Sequence, residues 1–344
     1  MNKPGSQAEF EIIRRHFSKQ GLAFARDGIE LGIGDDAALI ALPADKQLAM
    51  SMDVLVAGVH FPADGDPALI ANRALAVNLS DLAAMAAQPY CFTLGLVLPH
   101  VDEDWLQDFS AGLEPLARRY NCPLVGGDTS SGPLSISIQV QGLVNKNAAT
   151  RRSGARVGDK IFVSGTLGDA AIALLGLGQQ SHLGAQFCLS VDKMSAASQN
   201  FFSDAFYKPQ PQIELALAAG KLFSSCIDIS DGLHGDLQHI LERSHVGAKI
   251  QIDAIPYSES ALSCVDADNR VRAALFGGDD YGLCFTIAEQ DCSELQRLAD
   301  ELGVQTSCIG AIIEGEDIVY LDADQSPVRH DAEAFQHFNT SGVN

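Results

Sequence analysis

No pair among the eight cysteines forms CxxC, and no GxxxxGK[ST] stretch occurs anywhere in the 344 residues. The first absence argues against a zinc ribbon or a dithiol redox motif. Cys91, Cys122, Cys188, Cys226, Cys264, Cys284, Cys292 and Cys308 are scattered, mostly through apolar runs, and read as reduced, buried thiols. The second absence excludes a P-loop, so any phosphate site must be built differently. Basic residues are scarce, 23 Lys and Arg against 44 Asp and Glu, giving a net charge of -21. Such a surface offers no footprint for nucleic acid or an anionic membrane, although an anionic ligand could still bind through cations. No stretch reaches about 18 uninterrupted apolar residues, and the opening MNKPGSQAEFEIIRRHF lacks the apolar centre of a signal peptide. The expectation is a cytoplasmic protein, long enough for two domains, whose 47% hydrophobic content fits an α/β class.

What the chain does have is aspartate, in short glycine-flanked clusters: GIGDDAA at Gly32 to Ala38, GGDTS at Gly126 to Ser130, DISDG at Asp228 to Gly232 and FGGDDYG at Phe276 to Gly282. Asp53 and Asp81 stand alone in apolar segments. A carboxylate among apolar neighbours is costly unless positive charge compensates it, and few Lys or Arg lie nearby in sequence. Hard oxygen ligands, with glycines that allow close approach, suit several magnesium ions bridging the phosphates of a nucleotide.

The chain through Phe24 reads as a short amphipathic helix with Phe10, Ile13 and Phe17 on one side. Gln47 to Phe61 is strand-like. Asp66-Pro67 then supplies an N-cap and an N1 proline for a helix to about Ala87, closed by Pro89. Inside that helix Asp81 has Val77, Asn78, Ala84 and Met85 at helical spacing, a largely apolar face. A strand over Cys91 to Leu98, a helix over Asp104 to Tyr120 and a strand over Leu134 to Val144 follow, the last with Leu134, Ile136, Ile138 and Val140 alternating against polar residues. The polar, basic stretch between Asn145 and Gly158 is the candidate boundary, giving domains at 1–148 and 149–344. The second begins with a strand over Lys160 to Ser164 and a helix over Ala170 to Leu177, and the strand, glycine-rich turn and helix recur at Ile227 to Ile240 and Tyr281 to Leu302. Gly178 to Gln212 is either a helical insertion or a flap.

GIGDDAA formally fits GxGxxA, but RDGIEL before it is no buried strand and two aspartates would repel a bare pyrophosphate. Cations reverse that sign; an Asp-rich capping turn is the alternative. GGDTSSG follows the apolar run Pro123 to Val125, a strand end where backbone N–H groups and Asp128 could meet a ligand, or a plain turn. In DISDG a helix N-cap accounts for one of Asp228, Ser230 and Asp231 and not for all three. His60 could contact an anionic substrate or be a satisfied structural histidine. His234, His239 and His245 lack zinc spacing and read as helix-surface residues. Asp322 to Ser326 reads as a surface turn, because Pro327 stands where a calcium loop needs Gly. Arg151 and Arg152 could clamp a phosphate or be a solvated linker.

In this order, ELGIGDDAAL, DVLVAGVHF, ALAVNLSDLAAM, GGDTSSGPLS, RSGARVGDKIFVSGTLGDAA, IDISDGLHGDL and FGGDDYGLCFT resemble the thiamine-monophosphate kinase family. Its superfamily also holds the aminoimidazole ribonucleotide and selenophosphate synthetases. The resemblance implies a two-domain α/β fold with mixed sheets, the N-terminal ATP- and magnesium-binding domain pairing into a β-barrel across a homodimer and the C-terminal domain completing the cleft. It implies transfer of the γ-phosphoryl group of ATP to thiamine monophosphate, giving thiamine diphosphate and ADP. Magnesium ligands would fall on Asp36, Ser51, Met52 (through its carbonyl), Asp53, Asp81, Asp128, Asp228 and Asp231. Gly127, Asp128, Arg152 and Ser230 would meet ATP; His60, Asp279 and Phe335 would line the acceptor site. Asp53, Asp81 and Asp128 are the expected catalytic residues, acting through positioning and charge stabilisation.

Three positions depart from the family pattern. Met52 replaces a threonine of STD, Asp279 replaces the glutamate of GGEDYE, and Gly282 lacks that motif's final carboxylate. A synthetase-like activity on an amide or carbonyl oxygen and a non-catalytic nucleotide- or metal-binding regulator are the competing readings. The selenophosphate branch is disfavoured, since the first cysteine is Cys91.

Overall fold

The computed structural model describes residues 11–18, 21–176 and 194–328. They fall into two compact units, Met1–Ala149 and Thr150–Asn344. In the first, a π-helical turn over Ile13–Phe17 buries Phe17 and leads to β1 (Ile29–Leu31) and β2 (Leu39–Ile40), which pair antiparallel. The helix expected through Phe24 is shorter: the chain is already bent at Gly21. RDGIEL therefore contains a three-residue, partly buried strand and no core strand.

β3 (Lys46–Val56) is followed by α1 (Pro67–Ala84), β4 (Gln88–Leu98), α2 (Glu103–Arg119), β5 (Leu124–Ser131) and β6 (Ser135–Asn145). The four long strands form one sheet in the order β3-β6-β4-β5, parallel at β4–β5 and otherwise antiparallel. α1 starts where Asp66 accepts the N–H groups of Ala68 (2.8 Å) and Leu69 (3.2 Å), with Pro67 at the first helical position. It is apolar almost all round, burying Ile70, Leu75, Leu79 and Leu82 between the sheet and α2. It ends at Ala84, not Ala87, and Ala86 turns left-handed at φ 49°. Pro89 therefore does not close the helix: it is the second residue of β4, where the pairing with β6 shifts register. A residue without an N–H is tolerated at that irregular start.

The second unit comprises β7 (Lys160–Ser164), α3 (Asp169–Gly176), α4 (Ala196–Tyr207), α5 (Ile213–Ala219), β8 (Phe223–Asp228), α6 (Leu233–Ser244), β9 (Gly247–Gln251), α7 (Glu259–Cys264), α8 (Ala267–Phe276), β10 (Leu283–Ile287), α9 (Cys292–Leu302), β11 (Thr306–Ile313), β12 (Ile318–Leu321) and β13 (Pro327–Val328). The strands form one seven-stranded sheet, β13-β12-β9-β11-β7-β10-β8, antiparallel except at β9–β12. Phe162, Phe285 and Phe223 stack across three neighbouring strands. The stretch Gly178 to Gln212 contains α4 and the start of its link to α5; residues 177–193 lie outside the described region. All seven described cysteines are free thiols: Cys91, Cys122, Cys226 and Cys284 are buried, Cys264 and Cys292 half-buried, and Cys308 exposed.

No helix among the described residues is long and apolar enough to cross a membrane. Removing the α1 cap tests how much that helix start matters. Asp66→Ala should lower unfolding free energy by about 1 kcal/mol, and Asp66→Asn by no more than a few tenths, read from urea denaturation midpoints.

Candidate active site

β3 separates two chemistries by its pleat. Leu48, Met50, Met52 and Val54 are exposed on one side, while Ser51 and Asp53 alternate with them and are half-buried. Asn78 of α1, fully buried, is fixed by its own amide donating to the Ala74 carbonyl at 2.9 Å, and its Oδ1 accepts the Asp53 N–H at 3.0 Å. One turn on, Asp81 receives the Ser51 hydroxyl on Oδ2 at 2.5 Å. Ser51, Asp53 and Asp81 are thus brought together by one strand and one helix. Burial first, and the Asp81 carboxylate second, push the Asp53 carboxyl up to about 6. Met52 alternates away from these carboxylates, so only its backbone remains a candidate ligand.

A second cluster in the same unit lines a cavity of about 500 Å³. Asp35, Asp36, Gly127, Asp128 and Thr129 supply its polar wall, and Ile13, Phe17 and Leu94 part of its apolar wall. The Asp36 N–H donates to Asp35 Oδ1 at 2.8 Å, folding the GIGDDAA turn on itself. GGDTS proves to be the body of edge strand β5 and no turn, with Gly127 opposite Leu94. A Cβ on residue 127 would lie 2.0 Å from the Leu94 carbonyl oxygen, so only glycine fits this close pairing. Asp53 and Asp81 do not line that cavity.

His60 does not end β3. The strand stops at Val56, and the chain turns so that His60 Nδ1 accepts the Val56 N–H at 3.0 Å. That nitrogen of the histidine is thus occupied in holding a turn.

In the second unit Asp228, 5% exposed, ends β8, and Ser230 and Asp231 form the turn into α6. Their N–H groups both donate to Asp236 Oδ2, at 2.9 and 3.0 Å. Asp236 is the residue sequence reasoning missed. It sits on the buried stripe of α6 with Leu233, Leu237, Ile240 and Leu241, and a carboxylate in that stripe was the available signal. Burial chiefly, then Asp228 and Asp231, drive its carboxyl well above the usual range. The loop bearing Asp279 is tied to the same turn, the Asp279 N–H donating to the Ser230 carbonyl at 2.8 Å.

Arg152 is exposed, and its carbonyl accepts from the Ser244 hydroxyl at 3.4 Å. His234 is no surface residue: it is half-buried, its Nδ1 2.7 Å from the Tyr320 hydroxyl. Phe335 lies outside the described residues.

Among the described residues no group of three His, Cys, Asp or Glu side chains is gathered as a self-sufficient metal cage. Two carboxylates and a hydroxyl, as at Ser51, Asp53 and Asp81, still fit magnesium. That ion keeps several waters and takes one or two carboxylates together with substrate phosphates, so it does not require an all-protein cage.

The chain matches the AIR synthase related protein N-terminal domain over residues 34–144 and the corresponding C-terminal domain over residues 156–322. It is similar to thiamine-monophosphate kinase of Salmonella typhimurium, 43% identical over 96% of this chain and 98% of that protein. The Haemophilus influenzae enzyme is 41% identical over 98% and 99%. A crystal structure of thiamine-monophosphate kinase from Stenotrophomonas maltophilia superposes with a TM-score of 0.78 at 40% identity, covering 86% of this chain and 92% of that one. AaThiL complexed with AMPPCP and TMP superposes with a TM-score of 0.70 at 29% identity, covering 89% and 92%. With both domains matched in order and kinase relatives above 40% identity along nearly its whole length, the chain belongs to the thiamine-monophosphate kinase family of AIR synthase related proteins.

Proposed function

We propose that this protein transfers the γ-phosphoryl group of ATP to the phosphate of thiamine monophosphate, yielding thiamine diphosphate and ADP in thiamine diphosphate biosynthesis. A phosphate oxygen of the acceptor forms the new bond to the γ-phosphorus as the bond to the β–γ bridging oxygen breaks, and ADP leaves. The observation that carries the reading is the convergence of Asp53 and Asp81, with the Ser51 hydroxyl on Asp81, in a family whose members are ATP-dependent kinases. Donor and acceptor are both anionic, and at 4 Å two unit charges repel by about 4 kcal/mol even at an effective dielectric of 20. Magnesium ions, when bound, would neutralise that repulsion and stabilise the charge of the transferring group.

The residues we assign to magnesium are Asp36, Ser51, Asp53, Asp81 and Asp128 in the first unit, with the Met52 carbonyl, and Asp228 and Asp231 in the second. Asn78 holds the Asp53 backbone and the Ser51 hydroxyl orients the Asp81 carboxylate, which positions the strand and helix that carry the two carboxylates. Gly127 and Asp128 at the β5 edge, Ser230 and Arg152 are assigned to ATP. Asp279 and Phe335 are assigned to the acceptor, and His60 contributes through the turn it fastens. The acceptor phosphate is already ionised near neutral pH, so no side chain is needed as a general base.

The exposed row Leu48, Met50, Met52 and Val54 lies on a strand at the sheet edge, an arrangement that single chains normally cover. We assign it to a homodimer whose two four-stranded sheets close into a barrel. Met50→Glu should convert the protein to a monomer in sedimentation velocity, while an unchanged sedimentation coefficient would rule this interface out.

The metal assignment is tested by Asp53→Asn. Turnover should fall at least 100-fold, with the far-ultraviolet circular dichroism unchanged. The stability sign also follows. The folded Asp53 pKa, about 6, lies above the unfolded value of about 3.9, so this group contributes stability below pH 4 that is lost as pH rises through 6. At pH 7.5 in EDTA the asparagine variant should melt several degrees above the wild type. Magnesium should raise the melting temperature of the wild type more than that of the variant. Activity retained by folded Asp53→Asn would sink the assignment. For the reaction itself, ADP release is measured with thiamine monophosphate, with free thiamine and without acceptor. Release confined to the monophosphate, matched by thiamine diphosphate in the mass spectrum, is the expected result.

A further inference from the structure

The loop that carries Asp279 has an unusual backbone. Gly278, Asp279 and Tyr281 all have left-handed dihedrals, with φ of 68°, 65° and 49°. For the two non-glycine residues that conformation is unfavourable, so the surroundings must hold them there. Part of the hold is backbone. The N–H groups of Asp279 and Tyr281 donate to the carbonyls of Ser230 and Ile229, and the Gly282 carbonyl accepts the Ile229 N–H, all at 2.8 Å.

The remaining tie is a side chain that the proposed chemistry leaves unused. Asp280, between the two strained residues, directs its carboxylate into the protein. The Gly168 N–H meets Oδ1 at 3.0 Å and Oδ2 at 2.8 Å, and the Ala170 N–H donates as well. These donors bracket Asp169, the first residue of α3, so Asp280 satisfies N–H groups that the helix start leaves without intrahelical partners. Asp169 in turn accepts the hydroxyls of Thr166 and Ser258, both at 2.6 Å, which fastens the same helix start from its other side. The 277–282 loop is thereby pinned at two points, to the Ile229–Ser230 turn by its backbone and to the start of α3 by Asp280.

We propose that Asp280 is a positioning residue for acceptor recognition: by anchoring the loop at α3 it keeps Asp279 and Tyr281 in their left-handed conformation, and so fixes where the Asp279 carboxylate stands. The inference rests on the assignment of Asp279 to the thiamine monophosphate site. Release of the anchor lets residues 279 and 281 relax toward the commoner right-handed or extended backbone. A carboxylate displaced by about 1 Å is enough to cost two orders of magnitude in a well-positioned site.

Asp280→Asn and Asp279→Ala are compared by steady-state kinetics, varying each substrate in turn. The asparagine keeps the shape but replaces one accepting oxygen with an NH₂ group. We expect Asp280→Asn to raise the KM for thiamine monophosphate at least tenfold and leave the KM for ATP within twofold, with Asp280→Glu restoring part of the loss. Asp279→Ala should shift the same constant in the same direction. If Asp279→Ala raises the acceptor KM and folded Asp280→Asn does not, the anchoring role is wrong and the acceptor site stands. If Asp279→Ala leaves the acceptor KM unchanged, both assignments fall. If Asp280→Asn lowers only the active fraction and melting temperature, or raises both KM values alike, Asp280 is merely structural. Should Asp280→Asn not fold, Asp280→Ser, too short to reach both N–H groups, is read in its place, and an unchanged acceptor KM in that folded variant overturns the proposal.

Discussion

A carboxylate taken out of water must be met by donors or cations, and in a chain with nearly twice as many acidic as basic residues that requirement organises the structure. Where the aspartates are deepest, the donors are backbone N–H groups and hydroxyls. Asp236 collects two N–H groups of the turn before α6, Asp280 those at the start of α3, and Asp169 two hydroxyls. Each interaction shapes a loop by gathering its donors around one point. Asp53 differs. Asn78 holds its backbone N–H, not its carboxyl, and burial first, then the like charge of Asp81, raises its proton affinity. Asp236 and Asp280 thus differ from Asp53 in the loop N–H groups they gather, while burial raises the proton affinity of all three.

The pleat of β3 turns one strand to two purposes. Its half-buried positions carry Ser51 and Asp53 toward α1, while Leu48, Met50, Met52 and Val54 form an apolar row on the exposed side. Because the period is two, a register slip of one residue would exchange the rows. The eleven-residue pairing with β6, from Lys46 opposite Asn145 to Val56 opposite Ser135 without a bulge, fixes that register. Any change that loosens this pairing therefore acts on the carboxylates and on the exposed row together.

Much of this was legible in the sequence because it depends on local rules. Asp66-Pro67 specified the start of α1, the alternation after Leu134 specified β6, and the ordered motifs carried a resemblance to the kinase family that the relatives bear out. What was not legible came from partners distant in sequence. Pro89 resembles a helix stop until its neighbours show it at the irregular start of β4, and GGDTS resembles a turn until Leu94 pairs with Gly127. His60 is held by an N–H four residues earlier, a contact that spacing alone leaves equal to many others. Asp236 and Asp280 were passed over because each neighbours a more conspicuous motif residue, and only the fold reveals which N–H groups they receive.

At two of the positions where this chain departs from the pattern it resembles, the backbone suits the residue present. Residue 279 is left-handed, a conformation that the short polar side chain of aspartate accepts more readily than a longer, unbranched glutamate, because it can bond locally. At residue 282 a Cβ would lie 2.6 Å from the Ser164 carbonyl oxygen, and the Ser164 hydroxyl accepts the Leu283 N–H at 2.8 Å. Any side chain there would push β10 away from the end of β7. Glycine at 282 thus belongs with the close strand pairing in this chain, and the missing carboxylate cannot be restored by a single substitution without moving the strand that fixes the loop.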